Sequence, residues 1–345
     1  MKKKTEKIEK VFIFGAGAFG QAIAFVLAKK AKKIFLLSRR EKLPPLRKEL
    51  QKCQNVQFLE WNRWVQEISE DQSKIKNMLL IFAVPMSELE NILKQEKKEI
   101  LKSLKYKVKI ISLIKGIRGT KKETFLVDKV FETYFSYEYK GSFFFLSGPS
   151  FAEEIFQKCV TLVMIAGINL KKSYEISKIF QRSWFKAVAT TDIKGILASG
   201  ALKNILAIGS GILEGLGHYH NSKSILVTEG LKEMSLIGEK LGGQEKTFYG
   251  PAGLGDLLLT INGDLSRNKN FGKTIAKNFL EKNPVKISIL YKNLNQLVEG
   301  YETTRAIFLF LKRKKLKAPI FESIYRVLYK NSSPQKEISA LMVRL

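Results

Sequence analysis

The apolar run Val11-Phe12-Ile13-Phe14 leads straight into Gly15-Ala16-Gly17-Ala18-Phe19-Gly20 and then into helix formers that continue to about Lys30. A buried strand, a glycine turn and a helix in that order constrain the fold strongly, because G-x-G-x-x-G has meaning only in this context. One glycine permits the tight turn, the second lets backbone approach a pyrophosphate, and the third lets helix pack closely on strand. The anion then lies at the helix N-terminus, where unpaired N–H groups point. Gly15, Gly17 and Gly20, with Ala18 and Phe19 among them, form a candidate dinucleotide cradle; a Gly-rich turn of purely structural purpose is the alternative. Val11 to Ala28 also carries no charge and follows a Lys-rich start, as a signal peptide or short membrane span would. Its three glycines and Gln21 break any continuous apolar helix, so no transmembrane segment is expected.

Further short apolar runs recur at Ile34 to Leu37, Val56 to Leu59, Met78 to Ala83, Val108 to Leu113, Phe143 to Leu146, Thr161 to Ala166 and Phe185 to Ala189, separated by polar, helix-permissive connections. Strands alternating with helices predict an α/β fold, a doubly wound, largely parallel Rossmann-like sheet. After Thr190 the β-like runs fade and long apolar-periodic stretches take over. The expected organisation is a dinucleotide-binding domain over 1–190 and an all-helical substrate domain over 191–345. With no long linker between them, a shared interface and cleft are expected. A length of 345 residues, at about 150 per domain, agrees with two domains.

Composition narrows the chemistry. A hydrophobic content of 45% excludes disorder. Two cysteines, Cys53 and Cys159, make no disulfide framework, and with only His218 and His220 no four-ligand zinc site can be assembled. No metal and a cytoplasmic location are the expectations. The histidines sit in a glycine-bounded stretch, Gly215 to Asn221, that reads as an exposed loop. Sixty Lys+Arg against 32 Asp+Glu give a net charge of +28, which raises nucleic acid, an anionic membrane or anionic small molecules as partners. The cations are scattered, with short runs at Lys2 to Lys4, Lys29 to Lys33 and Lys312 to Lys317, and read mostly as a solvated surface. No nucleic-acid partner is expected; a basic binding protein stays as the alternative of another class.

At the end of the second strand an Asp or Glu would hold the ribose 2′-hydroxyl of NAD. The chain instead reads Ser38-Arg39-Arg40. Two guanidiniums suit a 2′-phosphate, so NADPH is the expected cofactor, with NADH the alternative and a solvated basic turn the bland reading of either arginine.

From Gly195 to Leu213 the only charged residue is Lys203. Apolar neighbours on every helical face bury such an ammonium or place it in a cleft, and desolvation lowers its pKa toward the range of a general acid/base. A lysine snorkelling at a helix edge is the competing reading. Lys115-Gly116 follows a strand end, where ligand loops gather in parallel sheets. Ser147-Gly148-Pro149-Ser150-Phe151-Ala152 reads as a backbone-donor turn, or simply as a helix start capped by Ser150. Gly253-Leu254-Gly255-Asp256 and Ser266-Arg267-Asn268 bring a carboxylate and a guanidinium, amide and hydroxyl cluster into the helical part, the latter suited to phosphate.

Taken together, GAGAFG, FAVP, SLIKGI, LSGPSFAEEI, ALKNILAIGSG, AGLGDLLLT, SRNKNFG and VEGYETT, in this order over nearly the whole chain, resemble the bacterial-type NAD(P)-dependent glycerol-3-phosphate dehydrogenases. The resemblance implies reduction of dihydroxyacetone phosphate to sn-glycerol 3-phosphate, a phospholipid precursor. It implies Lys203 as catalytic acid/base and Lys115 as a contact to both substrate and nicotinamide. Gly148 and Ser150 would bind substrate, with Ala152 near the cofactor. Asp256, Ser266, Arg267 and Asn268 would hold the glycerol phosphate, Arg267 also reaching the cofactor. Ala18, Phe19 and Arg39 would line the dinucleotide, which Leu297 and Glu299 would approach from the helical domain. Oligomeric state is left open, a homodimer among the options. The chain departs from the family pattern at Ala18-Phe19 in place of Ser-Trp, at His218-Tyr219-His220-Asn221, at Gly250-Pro251-Ala252-Gly253, and at Thr228-Glu229-Gly230, where a cation gives way to Glu229. A hydroxyacid or 6-phosphogluconate-type dehydrogenase is the same-class rival.

Overall fold

The computed structural model describes residues 7–39, 43–69, 77–106, 108–281, 284–294 and 297–343; Arg40 lies outside them. The chain divides into two compact units, Met1–Ile114 with Lys129–Ile193, and Lys115–Asp128 with Lys194–Leu345. Residues 115–128, inside the span expected for the nucleotide domain, thus group with the helical unit.

The first unit holds the strands β1 (Ile8–Phe14), β2 (Ala31–Ser38), β3 (Val56–Glu60), β4 (Met78–Phe82) and β5 (Lys109–Ser112). After a hairpin of the other unit, β6 (Ile117–Gly119) and β7 (Thr124–Leu126), come β8 (Phe143–Ser147), β9 (Thr161–Ala166) and β10 (Phe185–Thr190). The connecting helices are α1 (Ala18–Leu27), α2 (Lys48–Gln51), α3 (Trp64–Ser69), α4 (Met86–Lys105), α5 (Val127–Tyr134), α6 (Ala152–Phe156) and α7 (Leu170–Ile179). All eight apolar runs of the sequence lie in one sheet of order β10-β9-β8-β5-β4-β1-β2-β3. Every pair is parallel except β8 with β9. Strand order reverses between β1 and β4, which is the switch point where open α/β sheets bind ligands.

Burial on both faces explains the near-continuous apolar strands. One face stacks aromatic rings, Phe12 on Phe35 at 5.2 Å and Phe14 on Phe82 at 4.8 Å, with Phe131 of α5 edge-on to Phe82 at 5.5 Å. The indoles of Trp61 and Trp64 both donate to Glu96 on α4, at 2.7 and 3.0 Å. The alternate residues Val11, Ile13, Ile34, Leu36, Leu79 and Ile81 point to the other face, into a core shared with α1, α6 and α7.

The second unit contains α8 (Ile193–Gly215), α9 (His220–Lys240), α10 (Glu245–Phe248), α11 (Asp256–Asn262), α12 (Arg267–Leu280), α13 (Ile287–Lys292), α14 (Glu299–Lys314), α15 (Pro319–Lys330) and α16 (Pro334–Met342). A π-helical turn, Pro251–Gly255, runs into α11. Among the described residues α8 is the one helix long and apolar enough to cross a membrane, and 94% of its apolar window is buried inside the protein, as a core helix requires. Its Gly211 sits against α12 so closely that a Cβ there would lie 1.9 Å from the Lys269 carbonyl oxygen. The β6–β7 hairpin packs on α14, with Gly119 against Ala306.

Candidate active site

In the first unit, Gly15 adopts a φ of +118°, a left-handed conformation that a side chain resists, and a Cβ on it would lie 2.4 Å from the Ala83 carbonyl oxygen. Its N–H donates to the Leu37 carbonyl at 3.0 Å, which ties the turn to the end of β2. A Cβ on Gly20 would fall 1.9 Å from the Gly15 carbonyl oxygen, so close passage of α1 over β1 requires glycine there. Gly17 is the N-cap of α1 and makes no side-chain cap bond; a Cβ added to it meets nothing within 4 Å. Free N–H groups at the start of a ten-residue helix, opening onto unfilled space, fit a pyrophosphate. Ala18 is exposed and Phe19 half-buried beside that opening.

Arg39, just beyond β2, donates from Nη2 to the Glu88 carboxylate, and its guanidinium carbon lies 5.3 Å from the centre of the Trp61 ring. Glu88 comes from the first turn of α4, 49 residues along the chain, and no local pattern in the sequence marks it as the partner of Arg39.

Gly148 takes a φ of +144°, and a Cβ there would lie 2.9 Å from the Val163 Cα. The reading of Ser150 as a helix cap is corrected: Phe151 is the N-cap of α6, and Ser150 Oγ donates instead to the Gly148 carbonyl at 2.9 Å. That bond closes the turn. Ala152 opens α6 and packs against the core shared with α1.

In the second unit Lys203 is 5% exposed, which disposes of the snorkelling alternative. Its Nζ donates to Asp256 Oδ1 at 2.5 Å and to Thr260 Oγ1 at 2.6 Å. The other oxygen of Asp256 accepts from Lys115 Nζ at 2.8 Å. Thr260 Oγ1 in turn donates to the Asp256 carbonyl at 2.6 Å. Burial pushes the Lys203 ammonium down to about 8; Asp256 opposes the shift and Lys115 adds to it. Thr260 was missed in the sequence, although its i+4 spacing from Asp256 on α11 puts both on one helix face.

Glu299, in the first turn of α14, has its carboxyl pushed up by burial against the opposing effect of Arg267, Lys115 and Lys203. Asn268 Oδ1 accepts from the Gly300 N–H at 2.9 Å and so joins the start of α12 to the start of α14. Ser266 is the N-cap of α12, its Oγ accepting from the Lys269 N–H at 3.3 Å. Arg267 is exposed at the first position of that helix, and Leu297 is half-buried two residues ahead of α14. His218 and Tyr219 are exposed between α8 and α9, and His220 is the exposed first residue of α9. Glu229 pairs with Lys232 one turn along, at 2.7 Å, so the reversed charge is neutralised locally.

An open parallel sheet with a glycine cradle at its switch point, in a chain that also carries a buried lysine held by an aspartate, defines a dinucleotide-dependent oxidoreductase. Residues 10–173 match the family described as NAD-dependent glycerol-3-phosphate dehydrogenase N-terminus, and residues 192–339 match the corresponding C-terminus. A glycerol-3-phosphate dehydrogenase [NAD(P)+] of Clostridium botulinum (strain Eklund 17B / Type B) is 31% identical over 98% of both chains, and one of Thermotoga sp. (strain RQ2) is 33% identical over 96% of both. The solved glycerol-3-phosphate dehydrogenase of Coxiella burnetii shares the fold, with a TM-score of 0.77 at 24% identity over 97% of this chain and 98% of that one. The chain belongs to the NAD-dependent glycerol-3-phosphate dehydrogenase family.

Proposed function

We propose that the protein reduces dihydroxyacetone phosphate to sn-glycerol 3-phosphate, with Lys203 supplying the proton. The observation that carries this reading is the buried chain of Lys203, Asp256 and Lys115, with Thr260 closing it. A bound nicotinamide supplies the hydride. With its pKa near 8, Lys203 is mostly protonated at neutral pH and can give a proton to the alkoxide oxygen that forms at C2; in the reverse direction its neutral form takes that proton back. Lys115 adds a second positive charge that polarises the carbonyl. Asp256 keeps the two ammoniums adjacent against their mutual repulsion and fixes the Lys203 rotamer from one side while Thr260 fixes it from the other.

Substrate phosphate docks on Arg267 and Asn268. Asn268 has its Oδ1 committed to Gly300, which turns its amide N–H groups to serve as donors. Ser266 contributes by capping α12, whose N-terminus is itself favourable for an anion. The family resemblance assigns Gly148 and Ser150 to the substrate, and Ala152, Leu297 and Glu299 to the cofactor. Gly15, Gly17, Ala18, Phe19 and Gly20 hold the pyrophosphate, and Arg39 the ribose end. A cytoplasmic location accords with the two free cysteines, and a homodimer is the assembly that light scattering would test.

The deciding experiment is oxidation of NADPH and of NADH with dihydroxyacetone phosphate, run beside a panel of 2- and 3-keto acids. Turnover confined to dihydroxyacetone phosphate is expected. Turnover with a keto acid and none with dihydroxyacetone phosphate would assign the chain to the hydroxyacid type instead.

A further inference from the structure

Three strand ends lie close together, β2 and β4 at Gly15 and β3 through Trp61, whose ring lies 5.2 Å from that of Phe14. The Gly15 N–H bonds the Leu37 carbonyl of β2, and the Ala83 carbonyl beyond β4 lies where a Gly15 side chain would be. Arg39 emerges from the first of these ends, and Glu88, in the first turn of α4, from the second. Trp61, at the end of β3, supplies the third wall, its indole fixed by Glu96. Arg39 is thus held between a ring and a carboxylate. The side chains of Arg39 and Glu88 are 34% and 41% exposed, so both are open to a ligand, and a pair this exposed contributes little to folding.

The pairing alters what Arg39 can do. A lone arginine after the second strand recruits a 2′-phosphate through bidentate, charge-assisted bonds. With Glu88 on its Nη2, the local charge is already neutralised, and a dianionic phosphate must displace a carboxylate or sit against it. A ribose 2′-hydroxyl meets no such penalty and can donate to the carboxylate, the role an acid at the end of β2 plays in NAD-binding domains. Here the acid comes from α4. Specificity by an added repulsive group needs no change in the attractive one.

We propose that Glu88 is a specificity-determining residue, a carboxylate that offsets Arg39 and favours the free ribose 2′-hydroxyl over a 2′-phosphate at the nucleotide site. The proposal rests on the reading of Gly15 to Gly20 as the dinucleotide cradle. Its test is calorimetric titration of the full chain with 5′-AMP and with 2′,5′-ADP, for the wild type, Glu88→Gln, and Glu88→Gln combined with Arg39→Gln. Glu88→Gln is expected to strengthen 2′,5′-ADP relative to 5′-AMP by about tenfold, equivalent to about 1.4 kcal/mol, and the double variant to lose that gain. The ratio of kcat/KM for NADPH over NADH should move in the same direction. An unchanged ratio of the two affinities in Glu88→Gln, with both fragments still bound, overturns the role of Glu88 alone. Failure of the wild type to bind either fragment overturns the cradle and the proposal together.

Discussion

Asp256 accepts a 2.5 Å hydrogen bond from Lys203 inside the helical unit, and both side chains are almost wholly buried. Two effects of opposite sign meet there. Burial disfavours the ammonium, and the carboxylate favours it; burial prevails, and Lys203 settles at about 8 rather than 10.5. A group with that value changes protonation state close to working pH, which is the requirement for acid/base catalysis in both directions.

The pH profile should show this directly. Reduction needs protonated Lys203, so kcat/KM for dihydroxyacetone phosphate should be level below about 8 and fall tenfold per pH unit above it. Oxidation of sn-glycerol 3-phosphate needs the neutral amine and should rise with pH to a plateau above the same value. Initial rates in both directions across this range measure it; limbs that run the same way in both directions would exclude a single shared acid/base.

Replacing Asp256 by Asn removes the effect that raises Lys203 and leaves two ammoniums facing each other. The falling limb of the reduction profile should therefore move to lower pH. Breaking a buried pair on one side costs about 3 kcal/mol or more, which urea denaturation would read as a lowered midpoint.

Much of this architecture was legible in the sequence, and the exceptions have physical causes. The eight sheet strands are the eight apolar runs, because strands covered on both faces must be apolar throughout. The β6–β7 hairpin escaped notice, since three-residue strands that include Arg118 and flank a Lys-Lys-Glu turn carry no periodic signal. Nor could the antiparallel pairing of β8 with β9 be read, as a run such as Phe143 to Ser147 looks the same in either direction. Lys203 stood out as one charge in an apolar helix. Its link to Asp256, 53 residues away, is a tertiary fact, as is the Arg39 to Glu88 pair. Ser150 and Ser266 show the limit of reading hydroxyls, which serve turns and caps as readily as ligands.

Gly20→Ala should separate the nucleotide cradle from the lysine network. The new methyl would fall 1.9 Å from a backbone oxygen that cannot swing away, so α1 must move off β1. A destabilisation of about 2–4 kcal/mol and a loss of NADH affinity are expected, measured by thermal unfolding and fluorescence titration. Unaltered affinity would show that the close helix–strand passage is dispensable.

Glu233 on α9 accepts the Ile320 and Phe321 N–H groups at the start of α15, yet burial pushes its carboxyl up to about 7. Its folded value exceeds its ordinary 4.5, so the folded chain binds an extra proton between the two, and stability contributed by this group falls as pH rises through that window. Gln mimics the protonated carboxyl, so the Tm of the wild type should fall progressively below that of Glu233→Gln as pH rises from about 4.5 to about 7, measured by calorimetric scans. Glu233→Ala, which removes the cap, should cost about 1–2 kcal/mol.

Turnover by Lys203→Ala with dihydroxyacetone phosphate and NADPH, measured beside NADPH binding to the same variant, bears most directly on the role of the buried amine. Turnover should fall by about 10²–10⁴-fold with cofactor affinity largely intact. Near-normal turnover would contradict Lys203 as the proton donor.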